Sequence, residues 1–275
     1  MERNQTMQTK TKKKPPIEEV KKPILTGSWH GKDAWKLAGK RAISILAVSL
    51  VYLIAGLLLG FDNLAGRIVT SLAVVLLVIY YQYHQGMGKG QDDAALAEIM
   101  YQRTQEGKEV TQSDRERCFH PFKGTFATLV GALPFVLFAL VFAFVTKPSE
   151  YVLGVLPSWT EGLMAQNEFG DALHYYGLNS GLGAVDVMRV MDRAMVMPFI
   201  NVASYIGDYA ALLVERLSPL LVLIAPMGYG FGYARGVDLR TKINTGIKMG
   251  DDKKKRKERK ARKQRQRSSA PERLV

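Results

Sequence analysis

The chain has 275 residues, of which 47% are hydrophobic, and a formal net charge of +13. The two properties are segregated: uncharged apolar blocks alternate with basic segments, which excludes an ordinary soluble domain and points to an all-α integral membrane protein with about four transmembrane helices. The single cysteine, Cys118, excludes an internal disulfide framework.

In chain order, residues 1–41 form a basic N-terminal region. Its first part, around "KKKPPIEEVKKP", lacks any core pattern and is expected to be disordered. Trp29 and Trp35 then suit a membrane interface, where indole rings favour the headgroup layer. Because polar sequence precedes the first apolar block, that block is expected to be a retained span rather than a cleaved signal. Residues 42–83 read as a transmembrane hairpin. Its first helix covers the uncharged stretch 42–61, and its second covers 68–83, extended back to Leu64 with Arg67 reaching the interface.

Residues 84–123 are expected to be a cytoplasmic helical loop. It opens flexibly at "GMGKGQ" and continues as a helix started by Asp92 and Asp93, with Leu96, Ile99, Met100 and Arg103 at helical spacing. A second short helix is expected from Ser113 as N-cap with Glu116 three residues on, ended by Pro121. Residues 124–146 are the third span. Residues 147–216 form an outer loop, with another capping pattern at Ser158 and Glu161 and a Gly-rich "YYGLNSGLGA". Within it, 185–214 reads as an amphipathic or re-entrant segment. Met188, Met191, Met195 and Leu213 turn to lipid or the bundle, and Arg189, Asp192 and Arg193 to water or one another. The competing reading makes 194–214 a fifth span. Residues 217–236 are the fourth span, with Pro219 and Pro226 inside it. Residues 237–275 are a basic tail, expected to be disordered like the N terminus.

Charge orients this arrangement. Lys and Arg number 11 in residues 1–41, 6 in 83–123, 4 in 146–216 and 16 in 235–275. Four spans with both termini cytoplasmic place 33 of the 38 basic residues inside, as the positive-inside rule favours. A fifth span would strand one basic terminus outside. The expected location is the cell membrane, multi-pass.

Three groups of residues are candidates for function. Gly228, Gly232 and Gly236 lie four apart and make a smooth helix stripe, for which Gly124 and Gly131 of the third span could supply a groove. Asp192, Arg193, Asp208 and Arg216 are charges near an apolar environment, against which stands the simpler reading that they are solvated. Lys253, Lys254, Lys255, Arg256, Lys257, Arg259, Lys260, Arg262 and Lys263 form a run suited to anionic headgroups or to RNA. Cys118 and His120 in "RERCFHPFKG" are two of the four ligands a structural metal site needs. The simpler reading is a helix end docking on the membrane through Phe119 and Phe122.

No HExxH, GxSxG, Walker loop or zinc-ribbon spacing occurs, so no catalytic residue, metal or cofactor is assigned and the chain is not read as an enzyme. The leading expectation is a non-catalytic scaffold, regulatory or accessory subunit that binds membrane lipids and other membrane subunits or itself. The alternatives are a small transporter or channel component, and a biogenesis factor whose tail contacts ribosomes.

Overall fold

In the computed structural model the described residues are 19–147, 161–165, 170 and 183–268. The described chain is helical without strands, and it divides into two units: residues 24–237, and residues 19–23 with 238–268. Residues 1–18, the Ser158 cap and most of the Gly-rich "YYGLNSGLGA" stretch lie outside the described residues.

Four helices of the first unit are long and apolar enough to cross a membrane: α1 (Lys32–Leu58), α2 (Leu64–Gln105), α4 (Lys123–Val145) and the helix Asp208–Ala234 introduced below as α7. Between α2 and α4 lies the short helix α3 (Gln112–Arg117), and α5 (Glu161–Met164) is a single turn in the 147–216 segment. Next comes α6 (Ala184–Ile206), followed by α7 (Asp208–Ala234). The last helix is α8 (Gly236–Ser268).

The sequence forms α2 differently from the expectation of a flexible "GMGKGQ" linker. Its 42 residues run unbroken from Leu64 to Gln105, about 60 Å at the usual rise and twice a hydrocarbon core. Glycine normally weakens a helix interior by about 1 kcal/mol. Here Gly86 and Gly90 are buried where α7 crosses: a Cβ on Gly86 would lie 2.1 Å from the Tyr229 carbonyl oxygen, and one on Gly90 2.3 Å from that of Tyr233. The facing stripe, on α7 and the first residue of α8, meets backbone in return. Gly228, Gly232 and Gly236 sit against the carbonyls of Ile79 and Tyr83 and against Gly90. Close backbone approach therefore stabilises both helices at the point where propensity is worst.

Gly124 and Gly131 serve other partners than the glycine stripe. The Tyr233 ring fills the space over Gly124, and Gly131 lies against Ala38 and Arg41 of α1. With α1 on α4, and α7 against both α2 and α4, α7 is the central helix of the bundle.

Two further expectations are corrected by local geometry. The N-cap of α3 is Thr111, whose side chain accepts from the Asp114 amide, rather than Ser113. A helix over 194–214 does not form. Gly207 takes φ +147 and ψ 170, a backbone state that side-chain-bearing residues rarely adopt, and the chain turns there between α6 and α7. Consequently the last apolar helix starts at Asp208 instead of residue 217. Inside α6, Val196 leaves helical geometry (φ −120, ψ 21), two residues before Pro198, which has no N–H for the Ala194 carbonyl.

In the second unit, the tail expected to be disordered is the 33-residue helix α8. Its Lys, Arg, Glu, Gln and Ala are all strong helix formers, which is the local reason the backbone coils despite the charge density. Within this unit the Val20 amide donates to Thr245 Oγ1 at 3.0 Å.

Candidate functional site

Apart from Glu98 on α2, the buried charge described in the first unit is gathered at the two ends of α4, with the Arg41 guanidinium between. At the N-terminal end, Lys123 is the first residue of α4, where a cation opposes the helix dipole. It is fully buried, so it must find compensation within the protein. Its Nζ lies 2.7 Å from Asp33 Oδ2 and 3.1 Å from Asp93 Oδ2, and donates to the carbonyls of Glu116 and Arg117 at 3.0 and 3.3 Å. Asp93 also receives Lys89 on Oδ1 and the Tyr233 hydroxyl on Oδ2, both at 2.6 Å. Five helices thereby converge on one ammonium and one carboxylate. This is a latch with its polar atoms satisfied.

Beside it, Phe119 stacks on Tyr233 with ring centroids 5.4 Å apart, while Phe122 is exposed. Of the two phenylalanines expected to dock, one packs inside the protein. Cys118 is completely buried, and burial pushes its thiol up, which makes it a poor nucleophile. The His120 imidazole is held below its ordinary range by burial and accepts from the Phe122 amide through Nδ1. Among the described residues no group of three or more His, Cys, Asp or Glu could hold a metal ion.

Between the ends, Arg41 is buried although it directly precedes the uncharged block. Its guanidinium donates to Gln82 and Gln85 and lies 3.9 Å from the centroid of the Tyr229 ring. Gln82, fully buried, passes the network on to Ser44.

At the C-terminal end of α4 the arrangement is less balanced. Arg189, Asp192 and Arg193, at spacings of three and four, share one face of α6 and meet Glu215 and Ser218 on α7. Arg193 holds Glu215 Oε1 at 2.7 and 2.6 Å through Nε and a terminal nitrogen. Thr146, the C-cap of α4, donates to Glu215 Oε2 at 2.7 Å. Arg189 stands 3.5 Å from Oε1 and donates to the Lys147 carbonyl at 2.6 Å.

Asp192 is 0% exposed, and among the described residues none meets hydrogen-bond geometry at either carboxylate oxygen; the buried Ser218 hydroxyl is near enough to act on the carboxyl but is likewise without a well-formed bond. Burial pushes the Asp192 carboxyl up to about 7; the Glu215 charge adds to the push, and Ser218 and Arg193 oppose it. The expectation that Asp192 faces water is therefore corrected, because its position on the helix face places it against α7.

Of the other candidate charges, Asp208 and Arg216 are exposed and belong to neither end cluster. The basic run Lys253–Lys263 lies on α8, in the second unit, with every residue exposed. Glu215, Lys123 and Arg41 were not singled out from sequence, and Asp93 only as a residue at a helix start. Lys123 had a signal, since a lysine opening an apolar helix requires a carboxylate near it. Comparison of the chain with protein-family models, curated proteins and solved structures finds no match.

Proposed function

We propose that the chain is a non-catalytic, multi-pass component of a complex in the cell membrane, with both termini cytoplasmic and α8 as its contact arm. The observation that carries this reading is the basic run itself: every residue from Asp251 to Arg265 is exposed. Nine of the eleven positions from 253 to 263 are Lys or Arg, so at 100° per residue the charge surrounds the whole circumference. A helix of this kind has no apolar face to sink into a bilayer. Its contacts are anionic groups, and lipid headgroups or the phosphates of RNA supply the same chemistry.

The apolar helices support the membrane half of the reading. Large side chains such as Leu46, Leu50, Leu76, Leu77, Leu137 and Phe144 are exposed along α1, α2 and α4, a continuous surface that water would not tolerate. The Lys123 latch and the interlocked glycines favour a rigid body over a moving carrier. The transporter reading draws on one observation, the unpartnered Asp192 carboxylate.

Two measurements test the proposal. A reporter fused after Val275 that functions only in the cytoplasm will be active, and one that functions only outside the cytoplasm will be silent; the reverse pattern overturns the orientation. Co-purification in mild detergent will recover stable protein partners. Their recovery will fall at least tenfold when the nine basic residues from Lys253 to Lys263 are changed to glutamine. Recovery as a partner-free monomer that raises solute flux in liposomes would replace the scaffold reading with the transporter.

A further inference from the structure

The α6–α7 joint contains two acidic and two basic side chains, yet the pairing is one-sided. Both arginines are committed to Glu215, Thr146 and the Lys147 carbonyl, and the half-exposed Asp186 stands 3.8 Å from Arg189. Asp192 receives neither of them as a hydrogen-bond donor. A carboxylate that is fully buried without a donor is strongly disfavoured in its charged form, and the usual relief is to take up a proton.

The groups on the other packed elements do not relieve it. α7 presents Glu215, a second negative charge, and the unpartnered Ser218, while Arg216 is on its exposed side. From α4 only the terminal Thr146 and the Lys147 carbonyl reach the cluster. α1 offers the neutral Tyr52, which packs with Met197 beyond the Val196 kink. On α2, Arg67 is held by the Asn201 and Phe61 carbonyls near the other end of α6.

We propose that Asp192 is a proton-binding site: its carboxyl carries a proton at neutral pH, within reach of the Ser218 hydroxyl, and exchanges it with water at the joint between α6 and α7. The route to solvent is short. The adjacent side chain, Arg193, is 35% exposed and touches Glu215, so water reaches the rim one residue away. Protonated, Asp192 is neutral and fits the apolar contact made by Val196, Ile200 and Val222 one turn along. Ionised, it sets two carboxylates side by side and favours separation of α6 from α7 at a helix that is already kinked.

The sign of the linkage is fixed by the raised pKa. Below about pH 4 the group is protonated in the folded and the unfolded chain alike, and the stabilisation is fully present; it is lost as the pH rises towards about 7. Across that window the folded-to-unfolded ratio of the wild type should fall by roughly tenfold per pH unit relative to Asp192→Asn, which has no proton to lose.

The experiment uses the purified full chain in mild detergent. Thermal unfolding of wild type and Asp192→Asn is followed against pH, together with infrared spectra after labelling aspartate with carboxyl-13C. The expected result is a diverging pair of pH profiles and a labelled carboxylic-acid band, present in the wild type near pH 6, absent in the variant and bleached on alkalinisation with a midpoint near neutrality. Parallel profiles would overturn the proposal, as would absence of the band. A band that is bleached at constant pH by sodium chloride but not by choline chloride would make the occupant a sodium ion and also overturn it. If Asp192→Asn yields no folded protein, the labelled wild-type spectrum decides alone, because an ordinary aspartate is ionised at that pH.

Discussion

Gly232→Leu is expected to abolish recovery of a monodisperse particle in mild detergent. The atoms that a Cβ at this position would meet are the carbonyl oxygen, carbonyl carbon and Cα of Tyr83, at 2.0, 2.8 and 2.9 Å. All three are backbone, so no rotamer change can make room, and α2 and α7 must move apart. Separation forfeits dispersion contacts along the whole seam, where Gly86, Gly90 and Gly236 allow similar approaches. Overpacking a core usually costs 1–3 kcal/mol; a clash with backbone on the central helix should reach about 3 kcal/mol or more. Gly88→Ala, on the facing helix α2, is the control. Nothing lies within 4 Å of its added Cβ, so the change should stabilise by up to about 1 kcal/mol through helix propensity alone.

Cys118 supplies the readout. It is the single cysteine and is fully buried, so a thiol-reactive fluorophore added during heating reports loss of the fold without any engineered probe. Gly232→Leu should label at the lowest temperature tested, and Gly88→Ala at or above the wild-type midpoint. Equal midpoints for Gly232→Leu and wild type would remove the seam from the account of the fold.

The second large effect is expected at the other shared point of the bundle. Lys123→Met keeps the length of the side chain and removes its charge, leaving Asp33 and Asp93 facing each other across the vacated site. Asp93 retains Lys89 and Tyr233, whereas Asp33 loses its buried partner. Breaking one partner out of a buried ion cluster costs about 3–5 kcal/mol, because the remaining charges are left uncompensated. Lys123→Arg should not rescue. A compact ammonium meets two carboxylates and two carbonyls at a site with no exposure, and a planar guanidinium cannot reproduce that geometry.

Adding Asp33→Asn and Asp93→Asn to Lys123→Met should recover most of the loss, since neutral groups need no counter-charge. Lys108→Met, which breaks the exposed pair with Glu106, should shift the labelling midpoint by less than the error. A triple variant as unstable as Lys123→Met alone would assign the effect to lost volume instead of lost charge.

Taken residue by residue, the local signals in the chain reached as far as local physics does. Uncharged blocks of membrane length identify α1, the first half of α2, α4 and most of α7, because apolar composition over a single helix needs no partner to be read. The four-residue spacing of Gly228, Gly232 and Gly236 likewise declares a close-packing surface. It does not say against what. The facing glycines, Gly86 and Gly90, look like a flexible linker in one dimension, and only their register against α7 turns them into helix interior.

The site charges show the same boundary. Asp192 shares a helix face with Arg189 and Arg193, and from spacing alone such a face is as well suited to water as to protein. Its burial is decided by Glu215 and Ser218, more than twenty residues further on and across the turn that Gly207 permits. Lys123 is compensated by Asp93, 30 residues away, and Asp93 by Tyr233, 140 residues away. By itself, then, the sequence determined which segments are apolar enough to cross a membrane, which are basic, and how small residues are spaced. Which charges are paired, and which buried carboxylate among the described residues is left without a donor, only the tertiary structure decided. Charge compensation is a property of distance in space, and covalent order constrains that distance only within a few turns of helix.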